Sequence, residues 1–190
     1  MPEDIVTVGI DASLTGTGVA VKRGSVIMVE TIKTTPDAFE NDLARMIHIR
    51  NTIMAKMPND VKLVCIEDFF TGMHAGSGIR LAMLGAIVRV AMYEKGISFI
   101  VVSPTSLKKW ILGKGVGEKN LILREVYRKL GMSVENDNEA DSVVMAHLSE
   151  QLHCELTGIP YESPKYQQEV VKNLLKSRAE RGFNLPPKPE

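Results

Sequence analysis

Apolar positions along this chain come in two rhythms. Residues 5–10 form a compact Val/Ile run, and residues 16–22 and 26–33 form two more, divided by a Ser/Thr/Gly stretch and by the Arg23-Gly24-Ser25 turn. Such runs with short turns predict three strands in an antiparallel meander. After Pro36 the rhythm changes: Leu43, Met46, Ile47, Ile53 and Met54 fall at helical spacing and predict a helix over 38–57, stopped by Pro58. Residues 62–67, apolar without alternation, predict a central strand covered on both faces. A loop over 71–78, a helix over 79–95 closed by Gly96, and a strand over 97–102 follow. Helices are then predicted over 106–112, 118–130 and 139–156, and helical spacing returns in Val170, Val171, Leu174 and Leu175. The order βββ-α-β-α-β-α-α-α predicts an α/β chain with one mixed sheet and helices on both faces.

Composition narrows the picture. The 190 residues are 44% hydrophobic, enough for one packed domain. We assign residues 1–156 to that domain and 157–190 to a helical extension and tail, whose stretch 164–188 carries six basic residues against two acids. Lysine plus arginine cancels aspartate plus glutamate at 23 each, so only the distribution of charge is informative. Between 104 and 130 seven basic residues face two acids; between 130 and 164 there is no Lys or Arg, while Glu135, Asp137, Glu139 and Asp141 cluster. A basic block beside an acidic knot suits a protein that grips a polyanion and holds a cation. The two cysteines read as free buried thiols of a reducing compartment. No leader segment and no membrane-spanning run is visible, so the expected location is cytoplasmic.

Three acids stand where core elements end: Asp11 after the first strand, Glu67 after the fourth, and Asp141 in the first turns of the helix over 139–156. Each has an ordinary explanation. An aspartate after a strand serves turns, and acids near a helix N-terminus meet the favourable end of its dipole. Asn136 with Glu139 fits a capping box, so Glu139 is assigned to capping. With the first and fourth strands side by side and the helix across their carboxyl ends, however, the three carboxylates converge. Packed like charges repel and raise one another's pKa unless a cation offsets them. Mg²⁺ or Mn²⁺ does so through oxygen ligands, and pairs of such ions serve phosphoryl chemistry. The four histidines show no metal-ligand spacing.

The segments "GIDASLTGTGVAV", "VCIEDFF", "LKKWILGKGVGEKN" and "NEADSVVMAH" resemble, in order and spacing, the RuvC-type Holliday junction resolvases of the ribonuclease H-like superfamily. The resemblance implies a ribonuclease H-like five-stranded mixed sheet and a metal-dependent endonuclease. Such an enzyme cuts four-way DNA junctions by paired symmetric nicks, leaving 5′-phosphate and 3′-hydroxyl ends. Asp11, Glu67 and Asp141 take the family's metal-binding and catalytic positions, with two Mg²⁺ ions implied and Mn²⁺ as a substitute. The family's fourth acid falls on Asn138, a departure; either its amide oxygen serves or Asp137 does, and a carboxylate is the better ligand. Lys108 and Lys119 match the two lysines near the scissile phosphate. Lys109, Lys114 and Arg124 line the DNA path or face water. Phe70, with Met73 near it, falls where the family has an aromatic that stacks on junction bases, or else it packs in the core. The helix over 79–95 carries more apolar residues than one sheet-facing stripe needs, and in the family this region joins two subunits, so a homodimer is implied.

Three rival readings stand beside this one, and the residues argue against the first two. "GIDASLTGTG" also looks like the first phosphate loop of actin-like ATPases, which need two such domains. A relative that binds junctions without cutting them would have no use for all three acids. A ribonuclease H-like nuclease acting on flaps or hybrids is separated only by substrate assays.

Overall fold

The computed structural model describes residues 5–68 and 75–180, with the side chains at 75–77, 119 and 178–180 outside the description. Phe70 and Met73 lie outside the described residues.

Three strands, β1 (Val6–Asp11), β2 (Gly16–Arg23) and β3 (Val26–Lys33), form the expected meander. Helix α1 (Asp42–Lys56) and strand β4 (Leu63–Glu67) follow, then α2 (Ala75–Glu94) and β5 (Phe99–Val102). Four helices complete the chain: α3 (Pro104–Leu112), α4 (Lys119–Leu130), α5 (Asp137–Thr157) and α6 (Lys165–Glu180). The sheet order is β3-β2-β1-β4-β5, with β1 parallel to β4 and β4 parallel to β5.

Several boundaries differ from the sequence reading for local reasons. The helix expected from residue 38 begins at Asp42, because the Asn41 side chain accepts from the Ala44 amide and caps it there; Pro36–Ala38 is a separate 3-10 turn. The loop expected over 71–78 gives way by Ala75 to α2. Helix α5 starts two residues early, at Asp137, because Asn136 caps it.

Alternation along the strands sorts the core into two halves. Val8, Ile10, Val64 and Ile66 point toward α1 and α2. Leu63, Cys65, Ile100 and Val102 point toward α3, α5 and α6. Side chains two apart share a face, so Asp11 and Glu67 fall on the α5 side. Helix α5 lies unusually close to the sheet. A Cβ on Gly9 would stand 2.0 Å from the Ser142 carbonyl oxygen, and one on Gly18 would stand 2.1 Å from that of Asn138. Thr7 Oγ1 donates to the Ala146 carbonyl and Ser149 Oγ to that of Leu63, each at 2.9 Å. A buried ion pair, Lys22 Nζ to Glu150 Oε1 at 2.5 Å, fastens the helix to β2 farther along. Helix α6 enters the same core through Val170 and Val171. Both cysteines are free and buried. Among the described residues no helix is long and apolar enough to cross a membrane.

Candidate active site

The parallel register of β1 and β4 pairs Ile10 with Ile66, which sets Asp11 and Glu67 side by side at the carboxyl ends of adjacent strands. Opposite Asp11 on β2 is Gly18, and its missing side chain lets the first turn of α5 rest on the sheet. That contact delivers Asp141 to the same point.

The electrostatics record the convergence. Burial first, then the charges of Asp11 and Asp141 and a hydrogen bond with Asp11, push the Glu67 carboxyl up to about 9, while Lys108 pulls it the other way. Asp11 itself is buried. A raised carboxyl of this kind is the usual outcome where neighbouring carboxylates are withdrawn from water and resist ionising together. Among the described residues, no three acidic, imidazole or thiol side chains already form a closed metal-holding group. The chemistry of the donors nonetheless fits a hard divalent cation: three hard oxygen donors on separate elements, crowded and partly withdrawn from water, with repulsion that only a proton or a cation relieves.

The turn after Asp11 is rigidly held. Thr17 Oγ1 donates to the Ser13 carbonyl at 2.6 Å and accepts from the Ser13 amide at 3.1 Å. Buried Arg45, from α1, donates to the Leu14 carbonyl at 2.6 Å and to the Thr34 hydroxyl at 2.9 Å. Nothing in the sequence pattern singled out Arg45, since an arginine in an amphipathic helix reads as solvent-facing.

Residues 7–148 match the family model described as crossover junction endodeoxyribonuclease RuvC. The chain belongs to the RuvC family. RuvC of Bifidobacterium longum subsp. infantis is 27% identical over 136 residues, 68% of this chain and 69% of that protein. RuvC of Oleidesulfovibrio alaskensis is 25% identical over 156 residues, 77% and 92% of the two chains. Among solved structures, T. thermophilus RuvC in complex with Holliday junction substrate superposes with a TM-score of 0.64 at 22% identity, covering 75% of this chain and 90% of that one. A second Thermus thermophilus RuvC structure gives 0.63 at 20% identity, with 82% and 98% covered. These two likenesses establish the RuvC fold.

Within this RuvC chain the expected site residues separate. Asp11, Asp141 and Lys108 are each near enough to Glu67 to act on it. Asp137 and Asp141 line one small cleft with Ile122 and Ala140, whereas Asn138 opens onto a polar groove with Thr15, Gly16, Thr31 and Lys33. Glu139 caps: its backbone amide donates to Asn136, and its carboxylate accepts from the Glu135 amide at 2.8 Å and from Thr31 at 3.0 Å. Lys109 pairs with Glu169 of α6 at 3.0 Å, and Arg124 leans toward Glu125 at 3.7 Å, so both have acidic neighbours within the chain. Lys114 is exposed in the connection between α3 and α4. Lys119 opens α4, and its side chain lies outside the description.

Proposed function

We propose that this RuvC-family chain is a structure-specific endonuclease that resolves four-way DNA junctions by paired symmetric nicks, leaving 5′-phosphate and 3′-hydroxyl ends. The observation that carries the reading is the convergence of Asp11 and Asp141 on the half-buried Glu67, whose carboxyl is lifted to about 9 by burial first and then by these two acids. Asp11, Glu67 and Asp141 would hold the metal, with Asp137 ahead of Asn138 as the fourth donor because it shares a cleft with Asp141. When bound, a pair of Mg²⁺ ions, or Mn²⁺ in their place, supplies an activated water and neutralises the leaving 3′-oxygen.

The chain's own groups do the rest. Asp11 and Glu67 are fixed by strand pairing, so the donors stay put while the phosphate arrives. Lys108 brings a point charge to the side of the cluster where negative charge develops on the phosphate, and Lys119 serves as its partner. Lys109, Lys114 and Arg124 steer the DNA backbone, and Phe70 with Met73 stacks on opened bases.

Paired nicks need paired sites, and α2 supports a homodimer. Ile79, Met83, Ala86, Val90 and Tyr93 are exposed along one helix face at alternating steps of four and three. That is the spacing of a helix seam shared with a second helix. Buried free thiols support a cytoplasmic location.

The test is incubation of wild type and Asp11→Asn with a four-way junction, a flap and a linear duplex, with and without Mg²⁺. The expected result is symmetric junction cleavage by wild type with Mg²⁺ only, and junction binding without cleavage by Asp11→Asn. Preferential flap cleavage would move the substrate; cleavage by Asp11→Asn near the wild-type rate would sink the metal assignment.

A further inference from the structure

Helix α6 lies wholly beyond residues 7–148, the part that matches the family model, yet it is built into the core. Val170 and Val171 are buried together with Trp110 and Ile111 of α3. Helix α3 packs on α6 about as extensively as on α4.

The contact concentrates on one turn. The last carbonyls of a helix have no intrahelical donor and must find one elsewhere. In α3, the Lys109 carbonyl accepts from the Gly113 amide, which ends the helix in a left-handed residue at φ 80°. The Trp110 carbonyl accepts from Nε2 of Gln167, a buried residue of α6, at 3.2 Å. The Ile111 carbonyl accepts from Lys129 Nζ at 2.5 Å. Lys129 is itself steadied by α6: its ammonium lies 3.3 Å from Tyr166 Oη and 5.4 Å from the centre of that ring. The same ring lies beside Gly113, where a Cβ would touch it at 3.9 Å. Two of the three carbonyl partners thus come from α6 or lean on it.

Lys108 directly precedes this turn. Leu107, Trp110 and Ile111 are buried in the core, and the charge of Lys108 is felt at Glu67. A slide or rotation at the end of α3 is passed along the helix to Lys108, the residue next to its last turn. A misplacement of about 1 Å at a reacting centre costs on the order of 100-fold in rate. We propose that Gln167, seated by the rest of α6, is a positioning residue for cleavage: it fixes the end of α3 and so aims Lys108 at the scissile phosphate. The inference rests on the role given to Lys108 above.

The experiment is single-turnover cleavage of a four-way junction at saturating protein and Mg²⁺, by wild type, Gln167→Met, Lys108→Ala and the double variant. Methionine keeps the volume of Gln167 and removes its donor, so the packing of α6 is retained; circular dichroism melts show that each variant is folded at the assay temperature. Glu169→Gln, on the same helix in an exposed ion pair of little energetic value, is the control and keeps the wild-type rate. The expected result is a loss of about 10-fold in Gln167→Met with junction affinity unchanged, and no further loss when Gln167→Met is added to Lys108→Ala. A purely structural helix would give a Gln167→Met loss of the same factor in both backgrounds, and that would overturn the proposal, as would a wild-type rate in Gln167→Met beside a slow Lys108→Ala. Cleavage by Lys108→Ala at the wild-type rate is a separate outcome: it removes the lysine's role, and the brace falls with it.

Discussion

Glu67→Gln removes the group that takes up the repulsion at the site while keeping its shape and its hydrogen bond to Asp11. In the folded chain the Glu67 carboxyl is raised from 4.5 to about 9. Between those values the folded state holds a proton that the unfolded chain has released, so folding works against the solvent. The site's contribution to stability is therefore fully present below the unfolded value and is lost as pH rises through the folded one. At pH 7.5, about 3 units above the unfolded value, each unit corresponds to about 1.4 kcal/mol, which caps the cost at ~4 kcal/mol. Glu67 is only partly buried, and water reaching it brings the expected effect to about 2 kcal/mol. For a chain of this size that is a rise in Tm of ~4–8 °C for Glu67→Gln. The assay is thermal unfolding of both proteins in chelator from pH 5 to 8.5, repeated with Mg²⁺. The gap should be widest at high pH and close toward pH 5; Mg²⁺ should raise the Tm of the wild type more than that of the variant, and the variant should not cleave. A variant no more stable than wild type at pH 8, or a gap independent of pH, would refute the reasoning.

Three further outcomes follow from the geometry. Gly18→Ala sets a Cβ 2.1 Å from the Asn138 carbonyl oxygen; it should lower stability by about 1–3 kcal/mol in chemical denaturation, as overpacking does, and slow cleavage by displacing the turn that leads to Asp141. Lys108→Ala should lose more single-turnover rate than affinity, whereas Lys114→Ala should weaken binding and flatten its salt dependence with the rate of bound junction kept; the reverse pattern would mean the two lysines were assigned wrongly. Asp137→Asn should cut the rate at low Mg²⁺, while Glu139→Gln should mainly cost about 1 kcal/mol of thermal stability as a weakened cap; equal catalytic losses would leave Asn138 and Asp137 indistinguishable as donors.

Much of this architecture was legible because it rests on local chemistry. The Val/Ile-rich run of β1 and the apolar run of β4, without alternation, marked two core strands, and the strand ends then named Asp11 and Glu67 without any knowledge of the register. The Asn136–Glu139 box was readable in the same way, although Glu139 reaches the Glu135 amide and Thr31 rather than the cap residue's own amide. What could not be read was set by distance in the sequence. Gly9 and Gly18 look like ordinary strand or turn glycines, and only the path of α5 shows why a side chain is barred there. Arg45 and Lys22 sit where a pattern reader assigns polar residues to water, yet both are buried, one holding the turn after Asp11 and the other paired with Glu150. Helix α6 looked like a basic appendage because its charged face dominates its composition; Gln167, Val170 and Val171 are a minority of its residues and carry its attachment.

The anchoring of α5 explains why the acids stay crowded. At its start Asn136 and Glu139 are tied to Thr31 of β3. Next, the Asn138 and Ser142 carbonyls rest on Gly18 and Gly9, with no room for a methyl group. Beyond them Thr7 bonds Ala146, Ser149 bonds Leu63, and Glu150 pairs with Lys22, both partners almost fully buried. Removing one member of such a buried pair leaves an uncompensated charge and costs about 3–5 kcal/mol, so this end does not slip. Asp141 sits between the Asn138 and Ser142 contacts. Repulsion from Asp11 and Glu67 is a few kcal/mol at most, and lifting α5 would break close contacts and buried hydrogen bonds on both sides of Asp141 together. Moving the helix is therefore not an available relief. The remaining reliefs are a proton on Glu67, as its raised pKa records, or a divalent cation among the three acids. Those two compete for the same oxygens, so the expected signature of a metal held here is an affinity that rises with pH as the Glu67 proton leaves. A helix clamped this firmly keeps the acids crowded, so relief has to come from a proton, a cation or the nearby charge of Lys108 and not from movement of the backbone.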